Sequence, residues 1–342
     1  MDFRSYLAWP GAALAIVSAI LFGASTPLAK LLLGAGIDPW LLAGLLYMGS
    51  GVGLGVVAVG AKLLGVRRTE AALKGADLPW LALVVLFGGV LGPLLLMVGL
   101  RTAAASTAAL MLNLESLATL LIAWLAFREN VDRRLLSGAS AILFGAILLS
   151  WRSGPQGGLL GGAALAGACF CWGLDNNLTR KLSAADPLQI AMVKGLVAGA
   201  VNLTLALALG AHLPGGSTIA AAALIGLGGY GVSLVLFVLA LRHLGAARTG
   251  AYFSTAPFLG AILAILIFKD PVTLRLLFAG ALMAIGVYLH LTEAHHHDHE
   301  HEALDHEHRH VHDAHHQHEH RPEHPEGEPH THHHHHAHAA HS

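Results

Sequence analysis

Charge is scarce in this chain. Only 12% of its 342 residues are Asp, Glu, Lys or Arg, about half the share of an ordinary soluble domain, and the deficit falls on the first 292 residues. That excludes a water-facing surface over most of the molecule. Cysteine is nearly absent: Cys169 and Cys171 share one apolar run, which rules out a disulfide scaffold. No GKT or GKS phosphate loop is present, so ATP-driven work by this chain alone is not expected. No nucleophile and base stand at a spacing suited to catalysis, so the chain is not read as an enzyme, and nothing in it points to a nucleic-acid partner. A cleavable leader is not evident either. Met1–Pro10 is a short polar start, and the first apolar run lacks a small-residue cleavage site followed by a soluble domain.

What the chain does have is apolar length. Hydrophobic residues make up 55% of it, gathered into ten runs at roughly 9–33, 39–61, 79–100, 103–127, 134–151, 157–180, 187–210, 217–241, 246–268 and 272–291. Many reach the ~20 residues needed to span the hydrocarbon of a bilayer. Gly, Pro or charge interrupts them, as in GAGIDP (34–39), RSGPQGG (152–158) and HLPGG (212–216). The expected fold is an all-α integral membrane protein with a lipid bilayer as its solvent. The short loops make consecutive helices antiparallel neighbours.

The runs also repeat. LRTAAASTAALMLNLES (100–116) aligns without a gap on LRHLGAARTGAYFSTAP (241–257), and the same register lays FRENVDRR (127–134) over FKDPVTLR (268–275). FGASTPLAK (22–30) falls over WGLDNNLTR (172–180), and the Asp-Pro pair at 38–39 over that at 186–187. Five spans per half is an odd number, so the second half enters the membrane from the opposite side. That arrangement is an inverted repeat, from which many secondary transporters are built. The expected divisions are 1–151, 152–292 and a tail, 293–342. With the N-terminus inside, inner loops hold twelve Lys and Arg against five outside, namely Lys30, Arg101, Arg152, Lys269 and Arg275. The positive-inside bias therefore places both termini in the cytoplasm, with an inner cell membrane as the location.

The stretches FGASTPLAK and CWGLDNNLTRK opening the halves, and LNLESLATLLIAWLAFRE and STAPFLGAILAILIFKD at the fourth span of each, make residues 1–292 resemble the drug/metabolite transporter superfamily, of EamA type. The resemblance implies a central cavity between the repeats, alternating access, and movement of small organic solutes or drugs, often outward. Many members carry proline where this chain has Glu115. The second half keeps that proline as Pro257.

Glu115 is the outstanding candidate residue. A charged group at mid-membrane costs about 2.5–3.5 kcal/mol on insertion scales, so it should face protein or a watery cavity. Thr107, Met111, Glu115 and Thr119 recur every four residues and would form one stripe. Asn113 lies off that stripe at the same depth. Glu115 reads either as a proton-coupling or substrate-amine site, or as a buried carboxyl bonded to a neighbouring helix for packing. Asp175, Asn176 and Asn177, opposite Ser25, Thr26 and Pro27 of the first half, either line a cavity or sit at a wetted boundary. Lys194 either snorkels to lipid headgroups or neutralises Asp175 or Glu115. Arg101 and Arg242 read as interface anchors. Cys169, Cys171 and Asp175 suit a soft metal, but small packing residues explain the cysteines more simply.

Of 25 histidines, 22 lie from His295 onward, mixed with acids. Imidazole suits Zn, Ni, Co and Cu, with carboxylates to complete the shell. His295, His296, His297, His299, His301, His306, His308, His310, His312, His315, His316, His318 and His320 are the expected ligands for divalent metal ions. No cofactor is otherwise required. Low hydrophobicity predicts a disordered tail in the absence of metal. The leading expectation is a secondary-active exporter of small-molecule organic solutes. A transition-metal (Ni, Co or Zn) efflux transporter is second, and a membrane-anchored metal sensor or store third. Assembly as a homodimer stays open.

Overall fold

The computed structural model describes residues 3–65, 73–127, 133–150, 158–182, 185–244, 246–291, 305–310 and 330–335. The first unit, 1–293, is helical. In chain order it holds α1 (Phe3–Gly34), α2 (Pro39–Leu63), α3 (Leu78–Val84), α4 (Gly92–Thr102), α5 (Ala105–Met111), α6 (Leu114–Phe127), α7 (Arg133–Ser150), α8 (Gly158–Thr179), α9 (Pro187–Ala208), α10 (Gly216–Gly226), α11 (Ser233–Leu244), α12 (Ala246–Phe253), α13 (Ala256–Phe268) and α14 (Leu274–Leu291). A π-helical turn, Val85–Leu91, joins α3 to α4, and a second, Leu227–Val232, joins α10 to α11.

Seven stretches among the described residues are long and apolar enough to cross a membrane: 11–34, 39–63, 75–102, 105–126, 133–150, 187–208 and 216–240. The sequence reading expects ten. Two shorter apolar helices are described besides, 256–268 and 274–289, and α8 carries Asp175, Asn176 and Asn177. The outward faces are greasy: Val56, Leu125, Phe144, Leu224 and Phe278 are each more than 60% exposed. Water would penalise such a surface; lipid does not. The protein is a multi-pass membrane protein.

The Asp-Pro pairs at 38–39 and 186–187 have a local job. Asp38 Oδ1 accepts from Trp40 N (2.9 Å) and Leu41 N (3.2 Å), and Asp186 Oδ1 from Leu188 N (2.9 Å). Each Asp caps orphan N–H groups of a helix whose first residue is proline, a position where a missing N–H does no harm. The capped helices, α2 and α9, pack against each other more extensively than any other pair. Glycine sets their approach. A Cβ on Gly51 would lie 2.4 Å from Leu196 N, and one on Gly199 would lie 2.6 Å from Met48 N. In the register of the Asp-Pro pairs Gly51 answers to Gly199 and Met48 to Leu196, so the crossing is reciprocal.

The α7–α14 crossing behaves alike. A Cβ on Gly145 would meet Met283 Cγ at 2.8 Å and Ala279 O at 3.0 Å, and one on Gly286 would meet Ile142 Cγ1 and Gly138 O, both at 2.6 Å. These residues correspond pairwise in the register of 127–134 on 268–275. Helices in lipid gain little from hydrophobic burial against each other, so close backbone approach through small residues supplies the packing.

The second unit, 294–342, is described only as two strands, β1 (Asp305–His310) and β2 (His330–His335), paired antiparallel with His306 opposite His334 and His310 opposite His330. One antiparallel strand pair therefore lies in a tail that the sequence reading expects to be disordered in the absence of metal. Backbone N–H and C=O groups pair whatever side chains they carry. The rest of the tail, including His295–His301, His312, His315, His316, His318 and His320, lies outside the described residues.

Gly51→Leu is expected to destabilise the solubilised protein by about 3 kcal/mol, because backbone rather than a flexible side chain blocks the new atoms. Gly60→Leu, where nothing lies within 4 Å of the added Cβ, should stay within about 0.5 kcal/mol. Denaturant titration in detergent compares the two.

Candidate functional site

The site grows from two interruptions of helix. The first is the π turn before α4. Gly92 N–H bonds back to Phe87 O rather than to Gly88 O, and Pro93 has no N–H to offer Gly88 or Gly89. The two freed carbonyls are met by side chains from three other helices. Tyr47 OH donates to Gly88 O at 2.6 Å and Trp172 Nε1 at 3.2 Å, while Asn202 Nδ2 donates to Gly89 O at 3.0 Å. In apolar surroundings each unmet carbonyl would cost several kcal/mol, so this demand draws Tyr47 and Trp172 toward the bundle axis. The second half repeats the shifted bond, Ser233 N–H to Gly228 O, at the corresponding residues.

The second interruption divides the fourth span. α5 stops at Met111, Leu112 and Asn113 form a turn, and α6 starts at Leu114. The ninth span breaks likewise at Ser254 and Thr255. Glu115 and Pro257 are each the second residue of the half-helix that follows, where exposed N–H groups and the helix dipole favour a carboxylate by about 0.3–1 kcal/mol. The expected four-residue stripe is therefore split. Thr119 stays with Glu115 and donates to its carbonyl oxygen at 2.9 Å. Met111 instead packs in the core, its carbonyl taking a 3.5 Å contact from Cys169 Sγ.

Glu115, Asp175, Asn176 and Lys194 come together on the wall of one cavity of about 510 Å³. Asn176 Nδ2 donates to Glu115 Oε1 at 3.0 Å and to Thr119 Oγ1 at 3.2 Å. Lys194 Nζ forms an ion pair with Asp175 Oδ2, and Thr179 Oγ1 donates to Asp175 Oδ1 at 3.3 Å. Gly88 makes room for that pair, since a Cβ there would lie 2.1 Å from Asp175 Oδ2. Of the two readings of Lys194, the neutralising one holds, with Asp175 as its partner. Asn113 does not join them. It is buried, donates to Leu110 O at 2.8 Å and faces Met283 of α14. Cys169 and Cys171 are buried, and among the described residues no group of three or more His, Cys, Asp or Glu is placed to hold a metal.

The aromatic part of the lining was not legible as a site. Tyr47 stacks on Tyr230 with ring centroids 5.3 Å apart, Phe22 meets Tyr230 edge-on at 6.2 Å and Phe253 at 5.2 Å, and Phe253 meets Phe237 at 4.8 Å. All five line the cavity with Trp172. A signal existed: membrane tyrosine and tryptophan concentrate at the lipid–water interface, whereas these sit well inside their spans.

The cavity lies toward one end of the bundle. Lys194 is seven residues into α9, Phe237 seven before the end of α11, and Asp175 four before the end of α8. The other end is filled by packed apolar side chains, among them Ile37, Leu41, Leu42 and Leu100, and tied by two polar contacts. Lys30 Nζ donates to Leu100 O and, at 2.6 Å, to Ala103 O, beyond the last turn of α4. Asp270 Oδ2 accepts from Ser106 N at 3.0 Å and Ser106 Oγ at 2.7 Å. Lys269, in left-handed conformation at φ 56°, turns the chain out of α13 just before Asp270.

Membrane-length helices around a cavity lined by Glu115, Asp175 and Lys194 suit a membrane transport protein. The comparisons agree. The chain belongs to the EamA-like transporter family, whose sequence profile matches residues 9–151 and again 159–292. It is 31% identical over 293 residues to an uncharacterized transporter of Methanothermobacter thermautotrophicus, covering 80% of this chain and 84% of that one. A protein of known crystal structure shares the fold at a TM-score of 0.59 and 21% identity, over 82% of this chain and 95% of its own.

Lys194→Met should cost about 3 kcal/mol, because it strands the Asp175 carboxylate in a site where that side chain is only 9% exposed. Adding Asp175→Asn should restore most of the loss. Equal melting temperatures for the single and double variants would show that the loss does not come from a stranded carboxylate.

Proposed function

We propose that the chain is a secondary-active exporter of small organic solutes. In this reading ten helices cross the inner cell membrane as two oppositely inserted repeats, 1–151 and 152–292, with both termini cytoplasmic. The observation that carries it is the cavity holding Glu115 between the two halves. The reciprocal glycine crossings, the matching π turns, the matching breaks in the fourth and ninth spans and the double match of the family profile all support the inverted repeat. Discontinuous helices at mid-depth between such repeats are where transporters place their binding sites.

Glu115 is the group on which we place coupling. It stands on the cavity wall, accepts from the neutral Asn176 amide among the described residues, and is aided by the start of α6. Such a carboxyl can hold a proton in one state and a substrate group in another. Lys30, Ser106 and Asp270 close the far end, and alternation requires those contacts to break. With the termini cytoplasmic, the far end is the outer face and the state described here is closed to the outside.

The second reading, transition-metal efflux with the tail as collector, rests on the 22 histidines from His295 onward. Binding of several Ni, Co, Zn or Cu ions by the tail fits either reading, since imidazole and carboxylate are suitable ligands. Growth under metal stress with and without residues 295–342 separates the two. Tolerance that falls with the deletion favours metal efflux, and tolerance unaffected by tail or body removes it.

Two outcomes are expected. In proteoliposomes loaded from a labelled metabolite pool, proton-dependent flux should fall at least about tenfold in Glu115→Gln; undiminished flux takes coupling away from Glu115. With Cys169 and Cys171 replaced by Ser, a Ser106→Cys reporter should resist impermeant thiol reagents from the outside and become labelled once Asp270→Ala is added. Strong labelling without that change would contradict a closed outer end.

A further inference from the structure

Resting on the transporter reading of this cavity, we infer that its cargo is an organic cation, a protonated or quaternary amine on an aromatic or branched alkyl body. Charge selects the sign. Among the described residues lining the cavity the ionisable side chains of fixed sign are Glu115, Asp175 and Lys194. Lys194 is bound to Asp175, so the pair is neutral and the balance of the wall rests on one carboxylate. The partner Glu115 has on the wall is the Asn176 amide, a neutral donor shared with Thr119. A desolvated carboxylate with a single neutral donor is left short of compensation. A cation supplies what the wall lacks, and an anion would add a second uncompensated charge.

The aromatic wall points the same way. Tyr47, Tyr230, Phe22, Phe253 and Phe237 form an unbroken series of ring contacts from 4.8 to 6.2 Å. Ring faces carry negative electrostatic potential and attract cations, most strongly where water is excluded. The same rings give an apolar body large contact area. Volume agrees as well, because about 510 Å³ lies within the usual range for a site that takes one drug-sized molecule. Neutral aromatic solutes would satisfy the rings and leave Glu115 unanswered, whereas metal ions would find one available carboxylate and no imidazole among the described lining residues. A carboxylate that shares one cavity with a series of rings therefore favours a large, soft, singly charged cation over both.

Three probes with one phenyl ring and one methylene, differing in charge, test this: benzyltrimethylammonium, phenylacetate and benzyl alcohol. Calorimetric titration into the full-length protein in detergent should show the cation binding at least about tenfold tighter than either other probe. Glu115→Gln should remove most of that preference. Tyr230→Leu should weaken the cation several-fold with Glu115 still present. Phenylacetate or benzyl alcohol binding as tightly as the cation overturns the inference, as does absence of binding by all three at millimolar concentration. The order of the three probes on the unaltered protein decides the matter even where a variant does not fold. The cation order found together with no flux of any solute in proteoliposomes supports the cation site and removes the transporter reading. Flux of a metabolite with the cation order absent does the reverse.

Discussion

Backbone carbonyls inside an apolar bundle have no water to turn to, and this site depends on how that demand is met. Gly88 and Gly89 lose their helical donors because the ladder shifts by one residue and Pro93 cannot donate. Tyr47, Trp172 and Asn202 answer them, which ties α2, α8 and α9 to the π turn. The same turn carries Gly88, whose missing side chain leaves the space taken by Asp175 and Lys194. One irregularity in one span thus fixes an aromatic residue, a tryptophan and an ion pair on the cavity wall. The break after Met111 acts in parallel, placing Glu115 at a helix start where a carboxylate is tolerated.

Glycine crossings hold the frame around this irregular centre. At α2–α9 and α7–α14 the helices approach so closely that no Cβ fits, which leaves the two crossings as rigid seams. The contacts of Lys30 and Asp270 are different in kind. They involve a few hydrogen bonds at the ends of helices, each worth about 1.5–3 kcal/mol because one partner is charged, beside the packed side chains of Ile37, Leu41, Leu42 and Leu100.

Much of this was legible in the chain. The apolar runs, the Asp-Pro helix starts and the internal repeat follow from composition and spacing, because bilayer thickness dictates run length and an N-cap needs a specific residue. Glu115, Asp175, Asn176 and Lys194 stood out because ionisable and amide groups are costly in hydrocarbon. Asn113 stood out for the same reason and lies elsewhere, since a helix break turned it toward α14. The stripe through Thr107, Met111 and Glu115 assumed an unbroken helix, and the turn at 112–113 cancelled it. The aromatic wall stayed hidden because Phe22, Tyr47, Tyr230, Phe237 and Phe253 are contributed by four separate spans, and periodicity within one helix does not show which side chains meet across the bundle.

The sequence by itself determined that this is a membrane protein of repeated apolar helices, which residues cannot face lipid, and where histidine accumulates. These follow from transfer energies, and transfer energies belong to residues. Only the tertiary structure decided which polar residues share one cavity, that Lys194 forms its ion pair with Asp175, and that aromatic rings line the same cavity as Glu115. Those are matters of distance between helices. They were set by where glycine lets backbones touch and where proline leaves a carbonyl without its donor.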